Sequence, residues 1–476
     1  MNEKNGIETK KPDHVIAIGI GGTGAKCIEA LVHLAASGHA PDTIFPILID
    51  QDSNNGNVAR CKNTLQAYSV LQKNIHKMDW FFKPTFDEIH DELLPLLPQD
   101  DKKNFSAAIG LPSMNKDEEA AIKALYLQSQ LDEKLDYGYK KRAHMGSPLI
   151  EKMLEEERKK KDNEVGLNYM ISKAKSGHNI HVVIYGSLFG GTGASGLIRI
   201  GKYFKNHESL KDATIKGVFL TPYFVIGKGS ASDDDSNLVK SDADMQAVKI
   251  SLQIYKDEIN ESFDNVFIIG SEISKLTGET VTEKAVYGGK DQENPAHLFE
   301  MIAATVATEP ARVKNGNIIS FISSTENETV PLRHSVNKYY PSKGESDFNA
   351  VLEDLSFKTN KIVLTYDFAY MLYKVRNNDE KSWWLRQPWA DLKNKGALID
   401  WAVRHYNWWN EMSPNIWNEH IWRIFSLYSN YQIDEYTFGS LLSRYYENSS
   451  SRLVNLFKTI EIIEKTDIRR LKWASI

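Results

Sequence analysis

The sequence predicts an α/β protein built on a doubly wound, mainly parallel sheet. Short, β-branched apolar runs such as HVIAIGI, residues 14–20, are typical of strands buried on both faces of such a sheet. Stretches with helical periodicity separate these runs, and glycine-rich loops follow two of them. Strands that alternate with helices along a chain indicate parallel pairing through right-handed crossovers.

Five apolar runs are predicted to form the strands of this sheet. They cover residues 14–20, 43–50, 180–188, 215–224 and 264–272. The first strand leads into a helix whose apolar positions from Ile28 to Ala35 recur at helical spacing. Gly38 follows as a natural C-terminal stop, so the first three elements form a βαβ unit.

The remaining segments divide the chain into two predicted domains. Residues 66–180 have helical periodicity and many charges, and we expect them to be a largely helical insertion, including 79–97. After residue 335 the pattern changes, and eight of the ten tryptophans lie from Trp383 to Trp422. The sequence therefore predicts a nucleotide-binding domain over 1–335 and a mainly helical, tryptophan-rich domain over 336–476, with the aromatic side chains in its core.

The composition excludes several classes of function. The chain has 476 residues, of which 41% are hydrophobic and 25% are charged, and its net charge is −5. This balance indicates a folded protein without the electrostatic footprint of a nucleic-acid or membrane-surface binder. Two cysteines cannot build a disulfide framework, and no apolar run reaches the roughly 20 residues of a membrane helix. We expect a cytoplasmic protein that binds neither nucleic acid nor membrane.

The first glycine loop, GIGGTGAK at residues 19–26, follows the first strand and opens a helix. Its pattern suits phosphate, because backbone N–H groups and the positive end of the helix dipole converge where glycines leave room. Asp50 ends the second strand and could accept hydrogen bonds from ribose. A structural tight turn and an ordinary dinucleotide site remain alternatives for this loop alone. The candidate ligands in it are Gly21, Gly22, Thr23, Gly24 and Lys26.

A second loop, FGGTGASG at residues 189–196, repeats the arrangement after a later strand. Its glycines free the backbone, and Thr192 and Ser195 add hydroxyls. Two such loops at the carboxyl ends of different strands can hold a triphosphate from both sides. The candidate ligands in it are Gly190, Gly191, Thr192, Gly193, Ala194 and Ser195.

These two loops together resemble the tubulin and FtsZ superfamily. The family's GGGTGSG signature is matched by FGGTGASG, with Phe189 in place of the first glycine. FPILIDQDSNN at 45–55 is similar to the family's second-strand segment, which ends in an acidic position, here Asp52. The segments 218–224, which contains Thr221, and 265–272 look like later strands of the family, and 142–150 is a weaker match to its γ-phosphate loop.

The resemblance implies a divergent bacterial tubulin-like protein that binds GTP or GDP, with Mg²⁺ as a further expected ligand. It implies that Asn294 reads the guanine base, although the same asparagine could instead cap the helix predicted over 294–307. The acidic run at residues 233–235 is either solvated or a source of Mg²⁺ ligands. The scattered histidines do not predict a protein metal site.

The sequence also departs from the family. The acidic loop with which such proteins complete GTP hydrolysis in a neighbouring subunit is missing, and Glu309 is the nearest weak candidate for a catalytic carboxylate. We therefore expect weak GTPase activity, with nucleotide state driving polymer assembly or engagement of a partner through the C-terminal domain. The alternatives are an oxidoreductase with NAD(P) or FAD, and a non-catalytic scaffold stabilised by nucleotide.

Overall fold

The computed structural model of the chain describes a defined set of residues. They are 12–52, 54–75, 78–87, 104–135, 138–139, 141–161, 164, 166–176, 179–223, 241–271, 289–290, 292–309, 317–323, 359–376, 395–411 and 452–466.

The described strands form one parallel sheet. They are β1 His14–Ile20, β2 Thr43–Ile49, β3 Thr85–Phe86, β4 Ile180–Ser187, β5 Thr214–Leu220, β6 Asn265–Ser271 and β7 Asn317–Ser323. Their order across the sheet is β3-β2-β1-β4-β5-β6-β7, and every neighbouring pair is parallel. The chain therefore leaves β1 towards one edge of the sheet and leaves β4 towards the other.

The helices of the described ranges follow the strands in alternation. They are α1 Gly21–Ala36, α2 Gly56–Gln72, α3 Phe105–Ala108, α4 Lys116–Leu125, α5 Gln128–Leu131, α6 Ala143–Lys159, α7 Leu167–Ala174, α8 Gly191–Lys205, α9 Ser241–Tyr255, α10 Ile259–Ser262, α11 Leu298–Thr305, α12 Thr359–Arg376, α13 Lys395–Glu411 and α14 Arg452–Thr466. None of these helices combines the length and the apolar character needed to cross a bilayer.

Helices cover both faces of the sheet, as the continuous apolar strands require. In β1, Ile16 and Ile18 face a core shared with α6 to α10, whereas Val15 and Ala17 face a core shared with α1, α2 and α11. This alternation is the period-two geometry of a strand placed between two helical layers. The α/β, doubly wound prediction is confirmed, and so is a helical insertion, since α3 to α7 lie between β3 and β4.

The five predicted strands are all present, with small shifts at their ends. Two further strands were not predicted. β3 has only two residues, and β7 lies in a part of the chain that was not interpreted as strand. The expectation of helix over 79–86 is wrong, because that part of the chain is a turn followed by β3. The apolar character of Trp80, Phe81 and Phe82 reflects their packing in an aromatic core formed by tertiary contacts. The rest of the predicted helix, residues 88–97, lies outside the described residues.

The C-terminal helices α12 to α14 share a core with the outer faces of α1 and α2. Trp401 and Trp408 are fully buried and Trp409 is nearly so, which confirms an aromatic core for these three side chains. The ring centroids of Phe81 and Phe457 lie 4.8 Å apart, so the turn before β3 belongs to the same core. The predicted domain boundary near residue 335 lies outside the described residues and stays a prediction.

Candidate functional site

Two helix N-termini meet at the carboxyl edge of the sheet. α1 begins at Gly21, directly after β1, and α8 begins at Gly191, shortly after the adjacent strand β4. A Cβ added to Gly21 would lie 3.5 Å from the backbone nitrogen of Gly193 and 3.5 Å from Cβ of Thr192. This junction is the point where the strand order reverses, and open α/β sheets bind ligands in that crevice.

Both helix N-termini lack the capping side chains that commonly bind the first N–H groups of a helix. Neither α1 nor α8 has a side-chain cap, and neither has an acidic residue in its first turn. The first N–H groups of a helix have no partner within the helix, and its dipole places about half a positive charge there. The two helices together therefore present several N–H donors and about one positive charge to the same small region.

Two glycines allow α1 to begin directly after β1 and to pack closely against the sheet. Gly21 has φ of +70°, which lets the strand turn directly into the helix. A Cβ on Gly24 would lie 2.6 Å from the carbonyl carbon of Gly19 and 2.7 Å from the carbonyl oxygen of Tyr185. Gly24 therefore seats α1 against β1 and β4, which is a packing role rather than contact with a ligand.

Asp50, at the end of β2, lies beside the second loop. Its carboxylate accepts hydrogen bonds from the Thr192 hydroxyl at 3.3 Å and from Nδ2 of Asn55 at 3.0 Å. Burial, and then the neighbouring Asp52 carboxylate, raises the pKa of Asp50 to about 7. Close to neutral pH this side chain can therefore carry a proton, and a protonated carboxyl can donate to an anion.

Asp52 and the start of α2 are tied to a distant part of the chain. We call residues 289–290 and 292–297 the edge segment. The Asp52 carboxylate accepts from the backbone N–H of Gly289, and from that of Asn54 at 3.0 Å. Asn57 accepts from the N–H of Asn294 at 2.9 Å, and its own N–H donates to the carbonyl of Gln292 at 3.0 Å. These contacts hold the edge segment next to the acidic end of β2.

The same amides border the first glycine loop. A Cβ on Gly22 would lie 3.0 Å from Nδ2 of Asn55 and 3.1 Å from Nδ2 of Asn57. Asn55 also caps α2 by accepting from the N–H of Asn57 at 3.0 Å, and donates to Gln292 at 2.8 Å. Asn55, Asn57 and Gln292 were not among the predicted site residues. The cluster of polar turn residues after a buried strand was the signal that could have identified the first two.

Asn294 lies at the edge of this group and is half-buried. The helix that follows it begins at Leu298, with His297 as its N-cap and Glu300 completing a capping box. The expectation that Asn294 caps a helix over 294–307 is therefore wrong, since the histidine accepts from the first turn instead. A role of Asn294 in reading a base stays a prediction.

Residues 138–139 and 141–142 lie over the start of α8. A Cβ on Gly191 would lie 3.0 Å from Cβ of Tyr139 and 3.1 Å from the backbone nitrogen of Lys141. The Tyr139 hydroxyl donates to Gln51 at 3.3 Å, while Arg142 pairs with Glu133 at 2.9 Å. The insertion thus supplies one wall of the site beside the second loop.

Lys26, a predicted phosphate ligand, is engaged elsewhere. Its ammonium lies 2.5 Å from Oε1 of Glu300 and donates to the carbonyl of Pro295 at 2.8 Å. Glu300 is fully buried and also accepts from the hydroxyl of Tyr223. Lys26 therefore joins α1 to α11 as a buried ion pair.

The other predicted ligands divide between the site and its supports. The Ser195 hydroxyl contacts the carbonyls of Gly191 at 2.5 Å and Ala143 at 3.0 Å, so it fastens α8 to α6. The carbonyl of Ala194 accepts from the Tyr255 hydroxyl. Thr221 follows β5 at the same carboxyl edge, where its N–H donates to Ile269 at 2.9 Å.

Gly190 and Thr23 lie in the two loops themselves. Gly190 is the residue before α8, and a Cβ there would lie 2.5 Å from Oγ of Ser187. Thr23 is in the first turn of α1 and is half-buried, so its N–H belongs to the donors at that end.

Glu309 lies far from this site within one chain. It follows α11, and its carbonyl accepts from Nζ of Lys216, which is in the first half of β5. Glu309 is therefore at the amino edge of the sheet, opposite the glycine loops, and only 3% of it is exposed. The acidic run 233–235 lies outside the described residues, among which no group of three or more His, Cys, Asp or Glu forms a metal site.

The fold and the site define a class: a doubly wound α/β protein with two uncapped helix N-termini at its topological switch point. No protein-family model and no curated protein matches the sequence. Among solved structures the chain is similar to CetZ2 from Haloferax volcanii in a GTPgS-bound protofilament, with 16% identity and a TM-score of 0.30. The similarity covers 62% of this chain and 57% of that one, and at this TM-score it carries no argument about function.

Proposed function

We propose that the chain is a tubulin-like protein that binds a guanine nucleotide, with the phosphates between the N-termini of α1 and α8. The observation that carries the proposal is the convergence of two uncapped helix N-termini from adjacent strands. An anion placed there would receive N–H donors from both loops and the field of both helix dipoles. The first turns of α1 and α8 supply these donors, and Gly21 lets the two loops approach each other closely.

The neighbouring polar groups have defined roles in this proposal. A protonated Asp50 would donate to a phosphate oxygen, and its ionised form, together with Asp52, could supply hard oxygen ligands if Mg²⁺ accompanies the nucleotide. The edge segment, with Asn294, is the proposed base-binding side. Lys26, Ser195 and Gly24 support the loops and are not assigned to phosphate.

The dinucleotide alternative is less well supported. A dinucleotide site uses the acid at the end of the second strand for ribose. Here Asp50 instead accepts from Thr192 of a second glycine loop, which an ordinary dinucleotide site does not need. We also propose slow hydrolysis and a cytoplasmic switch or assembly role that involves the C-terminal helices.

Titration with a fluorescent GTP analogue tests the proposal. Gly22→Val and Gly191→Val each add a branched side chain beside a loop, at positions without positive φ. Because an added Cβ on Gly191 would lie 3.1 Å from the Lys141 backbone nitrogen, circular dichroism must show that each variant keeps the wild-type fold before affinities are compared. Each variant is expected to weaken binding by at least about tenfold, because a lost hydrogen bond to a charged group costs about 1.5–3 kcal/mol.

Gly396→Val is the matched control, since Gly396 is the second residue of α13 and has no atom within 4 Å of an added Cβ. The control should bind like the wild type. Unchanged affinity in both loop variants would refute the proposed phosphate site, and loss in the first loop alone would favour a dinucleotide.

A further inference from the structure

The last residue of α13 contacts the same edge segment that borders the glycine loops. The Glu411 carboxylate accepts from the N–H of Ala296 at 2.7 Å and pairs with Nη1 of Arg60 at 2.8 Å. Arg60 in turn donates to Glu29 of α1 at 2.8 Å. The Glu411 carboxylate therefore joins α13 to the edge segment and to α2, and through Arg60 to α1.

This network is largely buried, so its connections are specific. The side chain of Arg60 is 12% exposed and that of Glu29 only 3%, whereas Glu411 at the end of the network is 28% exposed. Burial alone would raise the pKa of Glu29, but the nearby imidazole of His33 and the charge of Arg60 lower it to about 2. Glu29 is thus a fixed negative charge that orients Arg60 towards Glu411. A buried charge left without its partner is costly, which makes the arrangement sensitive to the loss of any one member.

The edge segment is held on its other side by the site itself. Asp52 binds the N–H of Gly289, Asn57 binds that of Asn294, and Lys26 binds the carbonyl of Pro295. A bound ligand that holds the edge segment in this position would therefore also hold the Ala296 N–H against its acceptor Glu411. The reverse holds too, because coupling between two sites is reciprocal.

α13 is joined to α1 by a second set of contacts next to Glu411. Nδ1 of His405 lies 3.1 Å from Nδ1 of His33, and the ring of Trp408 stacks on that of His33 with centroids 4.6 Å apart. These contacts position the helix, while Glu411 is the group among them that also reaches the edge segment.

We propose that Glu411 couples helix α13 to the ligand site, through the edge segment. Occupancy of the site tightens the packing of α13, and loosening of α13 weakens the site. This regulation rests on the proposed function for its ligand, a guanine nucleotide, but the mechanical link belongs to the chain itself. Glu411 is a positioning residue in this account, since it does not lie at the glycine loops.

Hydrogen exchange of the full chain, read at single amides without nucleotide, tests the mechanical link. Glu411→Ala removes the acceptor, Glu411→Gln keeps an oxygen for the Ala296 N–H, and Asp400→Ala breaks only the exposed pair with Arg404 on the same helix. In Glu411→Ala we expect exchange to accelerate about fivefold or more at Gly56, Asn57 and Asn294, beyond the direct effect at Ala296. Glu411→Gln should restore most of the protection, and Asp400→Ala should change none of it.

Acceleration confined to Ala296 would overturn the proposal, whether or not nucleotide binds. If Glu411→Ala does not fold, Glu411→Asp withdraws the carboxylate by one methylene and gives the same comparison. A second measurement uses the fluorescent GTP analogue: Glu411→Ala should weaken its binding by about 5- to 150-fold, whereas Glu411→Gln should bind nearly as the wild type does. Equal affinity in Glu411→Ala would also overturn the coupling. A wild-type chain that binds no nucleotide would instead refute the proposed function, and the exchange result would still decide the link.

Discussion

Lys26→Met is expected to destabilise the fold strongly while leaving the phosphate contacts in place. The Lys26 ammonium lies 2.5 Å from Glu300 and 2.8 Å from the carbonyl of Pro295, and Glu300 is fully buried. Methionine retains most of the side-chain volume but leaves the carboxylate without its cation. Removing one partner of a buried pair costs about 3–5 kcal/mol. Such a loss is a large share of the roughly 5–15 kcal/mol by which a domain is stable.

Urea unfolding followed by tryptophan fluorescence measures this loss. Lys26→Met combined with Glu300→Gln should recover most of it, because the glutamine is neutral and still offers an oxygen to the Tyr223 hydroxyl. Lys83→Met is the matched control, because the ammonium of Lys83 lies 2.9 Å from Asp42 but the two side chains are 47% and 66% exposed. An exposed pair of this kind contributes only about 0–1 kcal/mol.

A different outcome for Lys26→Met would contradict this structural role. If Lys26→Met unfolds at the wild-type urea concentration but loses guanine-nucleotide affinity by about a hundredfold, Lys26 is a phosphate ligand, and its pairing with Glu300 is not its main role. A hundredfold loss corresponds to about 2.7 kcal/mol of binding free energy.

Three further predictions concern pH and turnover. The pKa of Asp50 is raised to about 7, so its contribution to stability is fully present below about pH 4 and is lost as the pH rises to 7; urea midpoints of Asp50→Asn should lack this slope. Burial lowers the pKa values of His33 and His405, so in acid the unfolded chain binds more protons at these two residues than the folded chain does. Stability should fall as the pH drops below about 6.5, with a smaller slope in His405→Gln. GTP hydrolysis by the isolated chain should be slow and unchanged in Glu309→Ala; phosphate release that rises steeply with protein concentration would contradict this.

The strands and loops of the site could be predicted because their signals are local. A buried parallel strand is apolar throughout, and a glycine-rich turn into a helix lies within a few residues of it. The pairing of β1 with β4 then placed both loops at one edge of the sheet. β7 carries the same apolar signal in NIISFIS but was not predicted as a strand.

The partners of individual side chains could not be predicted, since they depend on tertiary contacts. Lys26 follows the glycines as a phosphate ligand would. Its ion-pair partner, Glu300, belongs to a helix far along the chain, which no local pattern indicates. Asn57 gives no local sign that it will hold Asn294. Phe81 and Phe82 suggested a helix because apolar character alone does not distinguish a helix from a turn buried in an aromatic core.

The most direct test of the central claim is the identity of the small molecule that accompanies the purified chain. Protein purified without added nucleotide is denatured, and the released molecules are separated by ion-exchange chromatography and measured by absorbance and mass. The two helix N-termini at the switch point predict GTP or GDP, close to one per chain after GTP is supplied and excess is removed. A flavin or NAD(P) in its place, or no retained nucleotide at any GTP concentration used, would contradict the account.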